Sequence, residues 1–484
     1  MMQSHPLTPA IDQVYDPEQF RARAHQLVDQ LADHLISHQN GNQNLLPYFP
    51  PEEQLDFWRQ HFQQNNGLGD TFTSILDRSI GVHNPGYLGH QVSVVAPIAS
   101  IAGMMVDLLS NGMGVYEMGM AGNAIERVII DFMNQAVGYS ANAGGFMTSG
   151  GTLANLTGLL AARKANVHLD VWQEGSQEKL AILVSESVHY SIDRAARVMG
   201  LGSEGIIKIP MNERFKMRTD LLTDALTQAK TNGYHVFAVV GCASSTATGS
   251  FDDLEAIADF CEANKLWFHV DGAHGGGVVF SEKHKHLAQG IERADSIVID
   301  FHKMLLTPAL ATALLFKKGS DSYKTFAQKA EYLWNSPEEE EWYNSGKRTF
   351  ECTKLMMGVK VYSILKAHGK EVFQQNIDRL FDLAQDFAQQ IEACDNVELL
   401  LSPEANIVNY RYVGGSANLD AANENIQQHL LESGRFYLVS TVIHGKRYLR
   451  SAIMNPLTRS ADFQALLDEI EVLGQRTGID NKIS

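Results

Sequence analysis

The sequence predicts an α/β protein on a mostly parallel sheet, with a helical arm before it and a smaller α+β domain after it. Three observations carry that expectation. From about residue 145, short runs rich in Val, Ile and Ala alternate with amphipathic stretches of ten or more residues. Strands separated by helices favour parallel pairing, because each crossover returns the chain in the direction it left. Before residue 70 the apolar positions recur at helical spacing alone, and beyond residue 360 a long helical segment leads into several apolar runs and a closing helix.

Taken in order, residues 1–70 form the arm. "FRARAHQLVDQLADHLISH" and "EQLDFWRQHF" read as helices broken by "QNGNQNLLPYFPP". They hold too little core to stand alone, and packing on a second subunit or on the chain's own domain both fit the pattern. Residues 71–360 form the large domain, where "KLAILVSES" precedes "SIDRAARVMG" and "YHVFAVVGCA" precedes "DDLEAIADFCEANK", followed by "LWFHVDGA" and "ADSIVID". In such a sheet the reactive side chains belong at the carboxyl ends of strands. Residues 318–349 break the rhythm with a polar stretch holding four consecutive glutamates, suited to a solvated loop or to a lid over a site. Residues 361–484 form the smaller domain: a helix over 371–394, the runs "NVELLLSP", "NIVNYRYV", "RFYLVSTVI" and "RYLRSAIMNP", and a helix near 461–474.

Bulk properties exclude several functions. Of the 484 residues, 44% are hydrophobic and 20% charged, which is ordinary for a folded globular chain. The net charge of -17 argues against nucleic acid, whose binding rests on phosphate neutralisation. The first twenty residues lack a basic segment followed by an apolar one, and no later run suits a membrane span, so a cytoplasmic location is expected. Cys242, Cys261, Cys352 and Cys394 are widely spaced, which suits buried thiols better than disulfides or a zinc site.

Four stretches carry chemistry. In "TSGGTLANLTGLLAAR" (148–163), small and hydroxylated residues open a helix whose free N–H groups suit an anion or a simple cap. "HVDGAHGGG" (269–277) ends a strand on Asp271, a half-buried carboxylate that needs a partner, with Ala273 two residues on. "SESVHYSIDRAAR" (185–197) presents His189 after another strand. "FHKMLLTP" (301–308) places His302 and Lys303 just beyond Asp300, where desolvation favours a free amine able to form an imine. Singly, each has a structural reading: a helix cap, a paired carboxylate, a core histidine, a snorkelling lysine. Together an imine-forming amine, an acid for a pyridinium nitrogen, an anion cradle and a flat imidazole match the needs of pyridoxal 5′-phosphate. Lys303 would hold the aldehyde, Asp271 would keep the ring nitrogen protonated, His189 would stack on the ring and His302 would help to hold the phosphate.

These residues resemble the group II pyridoxal-phosphate-dependent amino-acid decarboxylases, the family of the aromatic-L-amino-acid, glutamate, cysteine-sulfinate and 2,4-diaminobutyrate enzymes. "HVDGAHGG", "DFHKMLLTP" and "SVHYSIDRAA" match its pyridine-binding, lysine and ring-stacking segments, and the landmarks span roughly residues 83–458. The resemblance implies fold type I, loss of the α-carboxylate of an L-amino acid to leave a primary amine, and a homodimer. It also implies Thr148 and Ser149 as phosphate ligands, Ala273 against the ring and Thr246 beside the coenzyme. His83, Tyr87, His90 and Gln91 in "HNPGYLGHQ", together with Arg450, would face the substrate. The family's mobile-loop tyrosine, which returns a proton to Cα, corresponds to Tyr332 in "EYLW", with Tyr343 as its rival. "DFHK" in place of "NPHK", and the altered phosphate loop, leave the substrate open among aromatic, acidic and diamino acids.

Three other classes compete. A carbon–carbon lyase or aminotransferase would use Lys303 and Asp271 equally. A metal-dependent hydrolase would draw on His269, Asp271, His274, Asp300 and His302, although only residues 269 and 271 share a strand face in a recognisable way. A non-catalytic binding protein explains the composition but none of the clustering.

Overall fold

The computed structural model describes residues 8–326, 340–415 and 418–480. Its main sheet contains β1 (Gly144–Thr148), β2 (Lys179–Ser185), β3 (Ile206–Ile209), β4 (Tyr234–Cys242), β5 (Trp267–Asp271), β6 (Ser296–Asp300) and β7 (Thr312–Phe316), in the order β1-β7-β6-β5-β4-β2-β3. Pairing from β3 through β6 is parallel, and β7 runs against both its neighbours. The mostly parallel expectation holds. Strand residues are apolar on both faces because helices cover both. Along β6, Ile297 and Ile299 join one core cluster and Val298 the other, as a two-residue period demands.

A second, antiparallel sheet contains β8 (Val397–Leu399), β9 (Ile407–Tyr412), β10 (Val439–Ile443) and β11 (Lys446–Ala452), in the order β10-β11-β9-β8. His444 and Gly445 adopt φ of 48° and 75° between β10 and β11, the left-handed pair that a two-residue hairpin turn requires. The helices Glu371–Glu392, Leu419–Ser433 and Ser460–Asp480 flank this sheet, and Phe387 stacks on Phe463 with ring centroids 4.6 Å apart. No helix among the described residues is long and apolar enough to cross a membrane.

The structure amends three expectations. Helices Pro97–Leu109 and Tyr116–Ala136 occupy a stretch where no element was read; the second buries Asn123, Glu126 and Asn134 on its inner face, which blurs an apolar period. The end of the polar stretch is packed rather than solvated: Ser345, Lys347, Arg348 and Thr349 are buried, with Lys347 paired to Glu341 at 2.7 Å. Only Cys242 and Cys261 are buried thiols; Cys352 is exposed and Cys394 intermediate.

Candidate active site

A cavity of about 270 Å³ opens at the carboxyl ends of the main-sheet strands, the location that parallel sheets favour. Ser149, His189, Thr246, Asp271, Ala273, His302 and Lys303 all line it, as do Asn155, Ser191, Ser244, His274 and Asp300. Residues far apart in the chain meet because each follows or ends a strand.

One wall is the start of helix Gly151–Asn166. It has no side-chain cap and no acidic residue in its first turn, so its free N–H groups and positive dipole end remain available to an anion. Gly150 adopts a φ of 124°, a conformation that favours glycine, and a Cβ on Gly151 would lie a tight 3.3 Å from both Asp300 carboxylate oxygens. Thr148 is buried at the end of β1 with its hydroxyl donating to Gly150 O at 3.2 Å, and it does not line the cavity. Ser149 does; its hydroxyl donates to Glu351 Oε1 at 2.5 Å.

Two carboxylates end adjacent strands. Asp271 accepts from Asn155 Nδ2 at 3.1 Å and from the Ala273 backbone N–H at 3.2 Å. Asp300 accepts from Thr312 Oγ1 at 2.5 Å and faces Lys303 Nζ at 3.2 Å, with His302 Nε2 at 3.6 Å. The charge of Lys303, followed in sequence by the apolar Met304, Leu305 and Leu306, is thus met by an acid three residues earlier. His302 donates from Nδ1 to Ala311 O at 2.9 Å.

His189 caps helix Tyr190–Val198, its Nδ1 accepting from the Ser191 N–H at 3.3 Å. Burial holds its imidazole below the ordinary value; Asp271 opposes that and the Lys303 ammonium reinforces it. Burial pushes His269 down to about 4 and His274 to about 3, so both are neutral near pH 7. Both His269 nitrogens are engaged, by Ser296 Oγ at 2.7 Å and Asn155 Oδ1 at 2.9 Å, and among the described residues no group of three or more His, Cys, Asp or Glu is arranged to hold a metal ion.

The expected substrate-facing residues lie beside the cavity rather than in its lining. Arg450, which burial lowers to about 10, donates to Thr246 O at 2.6 Å and to Gln91 Oε1 at 3.1 Å, tying the loop that carries Thr246 to the 83–96 segment. Tyr87 donates to His90 O at 3.1 Å, and His83 Nε2 donates to Val95 O at 2.9 Å. This segment runs along the lysine loop, with Ser93 N donating to His302 O at 3.0 Å. Tyr332 lies outside the described residues; Tyr343 rests against Tyr116 with ring centroids 5.5 Å apart.

Asn155, Ser191 and Ser244 line the cavity without having been singled out from the sequence. A polar Asn155 four residues into a helix of small and apolar residues was the one available signal, since such a buried amide needs partners.

The cavity fits pyridoxal phosphate on structural grounds. An uncapped helix start, a partly buried lysine and an acid served only by neutral donors share it, and Ser244 Oγ lines it while buried without a protein partner. The pyridoxal-dependent decarboxylase conserved domain matches residues 85–413. The chain is 26% identical over 419 residues to an L-2,4-diaminobutyrate decarboxylase of Acinetobacter baumannii, covering 83% of this chain and 82% of that protein. It is 27% identical over 482 residues to an aromatic-L-amino-acid decarboxylase of Bacillus atrophaeus, covering 96% and 97%. The crystal structure of mouse CSAD superposes with a TM-score of 0.88 at 25% identity, covering 95% of this chain and 99% of that one. The chain belongs to the pyridoxal-dependent decarboxylase family, and its reaction is the pyridoxal-phosphate-dependent removal of CO2 from an amino acid.

Proposed function

We propose that Lys303 and Asp271 carry this decarboxylation, the first as covalent anchor of the coenzyme and the second as partner of its ring nitrogen. The supporting observation is that both open into one cavity from the ends of adjacent strands. Bound pyridoxal phosphate supplies an electron sink for the pair left when the Cα–carboxylate bond breaks. Ser149, His302 and the start of helix Gly151–Asn166 would hold the phosphate, and His189 and Ala273 would bracket the ring, with Thr246 beside it. Thr148 would act through the turn that its hydroxyl braces. Asp300 Oδ2, 3.2 Å from Lys303 Nζ, is placed to take the proton that the ammonium sheds before its nitrogen can bond. The proton returned to Cα is assigned to Tyr332, with Tyr343 the alternative donor. Arg450 and Gln91, with His83, Tyr87 and His90, would shape the approach of an L-amino acid.

We also assign the chain to the cytoplasm and to a homodimer. Helices Pro9–Val14, Pro51–Gln63 and Leu68–Asp77 bury no residue, and Pro17–Gln39 buries only His38. Helix Pro97–Leu109 leaves Ile101, Met105, Leu108 and Leu109 exposed. Apolar surface of this extent calls for a cover, and the arm of a second copy supplies one.

Borohydride trapping tests the anchor. The reduced holoenzyme should carry the coenzyme on the peptide containing Lys303, and Lys303→Ala should abolish CO2 release across aromatic, acidic and diamino L-amino acids. Labelling elsewhere, or steady turnover by Lys303→Ala, would falsify the assignment. The same panel, read for CO2 and amine, identifies the substrate.

A further inference from the structure

A chain of buried polar side chains reaches Asp271 from within the sheet, and its direction is fixed at both ends. Trp267 Nε1, a donor only, gives its proton to Ser296 Oγ at 2.9 Å. Ser296 Oγ donates in turn to His269 Nδ1 at 2.7 Å. At the other end the Asp271 carboxylate is an acceptor only, so the Asn155 atom 3.1 Å from Oδ2 must be the amide nitrogen. Asn155 Oδ1 then faces His269 Nε2 at 2.9 Å and must accept from it. Each tautomer and amide orientation along the chain follows from these two ends.

The same amide branches. Asn155 Nδ2 also donates to Ser191 Oγ at 3.0 Å, which leaves the serine proton for His189 Nδ1 at 2.8 Å. Asn155, Ser191, His269 and Ser296 are each exposed by 1% or less, which strengthens these bonds by keeping them out of bulk water. Parallel pairing sets Ser296 directly beside His269, and Gly158, one turn beyond Asn155, leaves room for the ring. A Cβ there would fall 2.7 Å from His269 Cε1.

We infer that Asn155 is a positioning residue with two outputs, aiming Asp271 Oδ2 at the coenzyme's ring nitrogen and holding His189 with its proton on Nε2, and that Trp267, Ser296 and His269 lock its amide against flipping. A flipped amide would present oxygen to the carboxylate; the His269 N–H prevents it by demanding an acceptor. The inference rests on the ring-binding roles proposed for Asp271 and His189, and it adds, behind Asn155 in the cavity wall, three residues that do not line the cavity: Trp267, His269 and Ser296.

The test compares His269→Leu, which keeps bulk and removes both bonds, with His269→Gln, which restores a donor and an acceptor. Three quantities are read for each variant: the coenzyme dissociation constant, the pH titration of the bound coenzyme's visible band, and the melting temperature of the coenzyme-free chain. Asn155→Leu and His269→Leu are expected to raise the dissociation constant roughly ten- to a hundredfold and to displace the pH titration. His269→Gln should stay close to the parent, and Ser296→Ala should shift both in the same direction by less. Parent-like binding and titration in His269→Leu overturn the inference, as does equal damage in His269→Gln, which would reduce the chain to core packing. If the leucine variants do not fold, Ser296→Ala decides by the same two readings. Absence of borohydride label on Lys303 in the parent would instead sink the functional reading beneath.

Discussion

Asp271 and Asp300 end neighbouring strands at 6% and 3% exposure, yet the protein answers their charges in opposite ways. Asp271 is met by uncharged donors, the Asn155 amide and the Ala273 N–H. Asp300 is met by the Lys303 ammonium and by His302. A carboxylate held by dipoles keeps its full negative charge for a cation yet to arrive, whereas one already paired has little to offer another. That difference separates the acid suited to a pyridinium from the acid suited to managing a lysine proton.

Exchanging either acid for its amide breaks the comparison unequally. Asp271→Asn should lower kcat on the order of 10²–10³-fold, the size expected when a preorganised charge is removed at a reacting group. Steady-state rates with coenzyme in excess check it, and a loss below tenfold would place the ring nitrogen elsewhere. Acid should expose the cost of the neutral donor chain behind Asp271. His269 titrates at about 4 in the fold against 6.5 when free, so between these values the unfolded chain binds a proton that the fold refuses. Stability is therefore full above pH 6.5 and falls as pH drops towards 4, by about 3 kcal/mol from this group. Denaturant melts at several pH values measure that slope, which His269→Gln should flatten.

Asp300→Asn leaves Lys303 without its counter-charge. Coenzyme capture by the coenzyme-free chain, followed by stopped-flow absorbance at pH 7, should slow about tenfold, the usual worth of a charge-assisted bond. An unchanged rate would show that Asp300 serves the fold alone. The smallest effect is expected from Gly158→Ala. Crowding against His269 costs roughly 1–3 kcal/mol and the better helix former returns up to about 1, so a net loss of about 1 kcal/mol should appear in thermal melts. A gain in stability would mean that the imidazole has room to move.

What could be read from the sequence divides along the same line as the two acids. Lys303, Asp271, His189 and His302 were legible because each ends or follows a strand, where local pattern reports position, whereas the roles expected of Ser149, Thr246 and Ala273 came with the family resemblance; the structure brings all seven to one cavity. The donor chain was not legible, because its members at 155, 267, 269 and 296 are joined only by strand pairing and by helix-on-sheet packing. His269 was weighed as a metal ligand for its spacing from Asp271, and only the partners on its two nitrogens reveal its different use. Helix Tyr116–Ala136 escaped for a related reason: polar residues on its inner face carry meaning only once their partners are in place, as Glu126 does with Lys354 at 2.6 Å.

The reversed strand β7 has a mechanical consequence. Thr312 pairs with Thr148 on one side and with Asp300 on the other, so the strand end that leads into helix Gly151–Asn166 and the one that leads into the lysine turn are stitched to opposite edges of a single ribbon. The gap between them is two ladder spacings, roughly 10 Å, and depends on backbone bonding rather than on any loop. Surrounding loops can vary in length while the two strand ends keep their spacing.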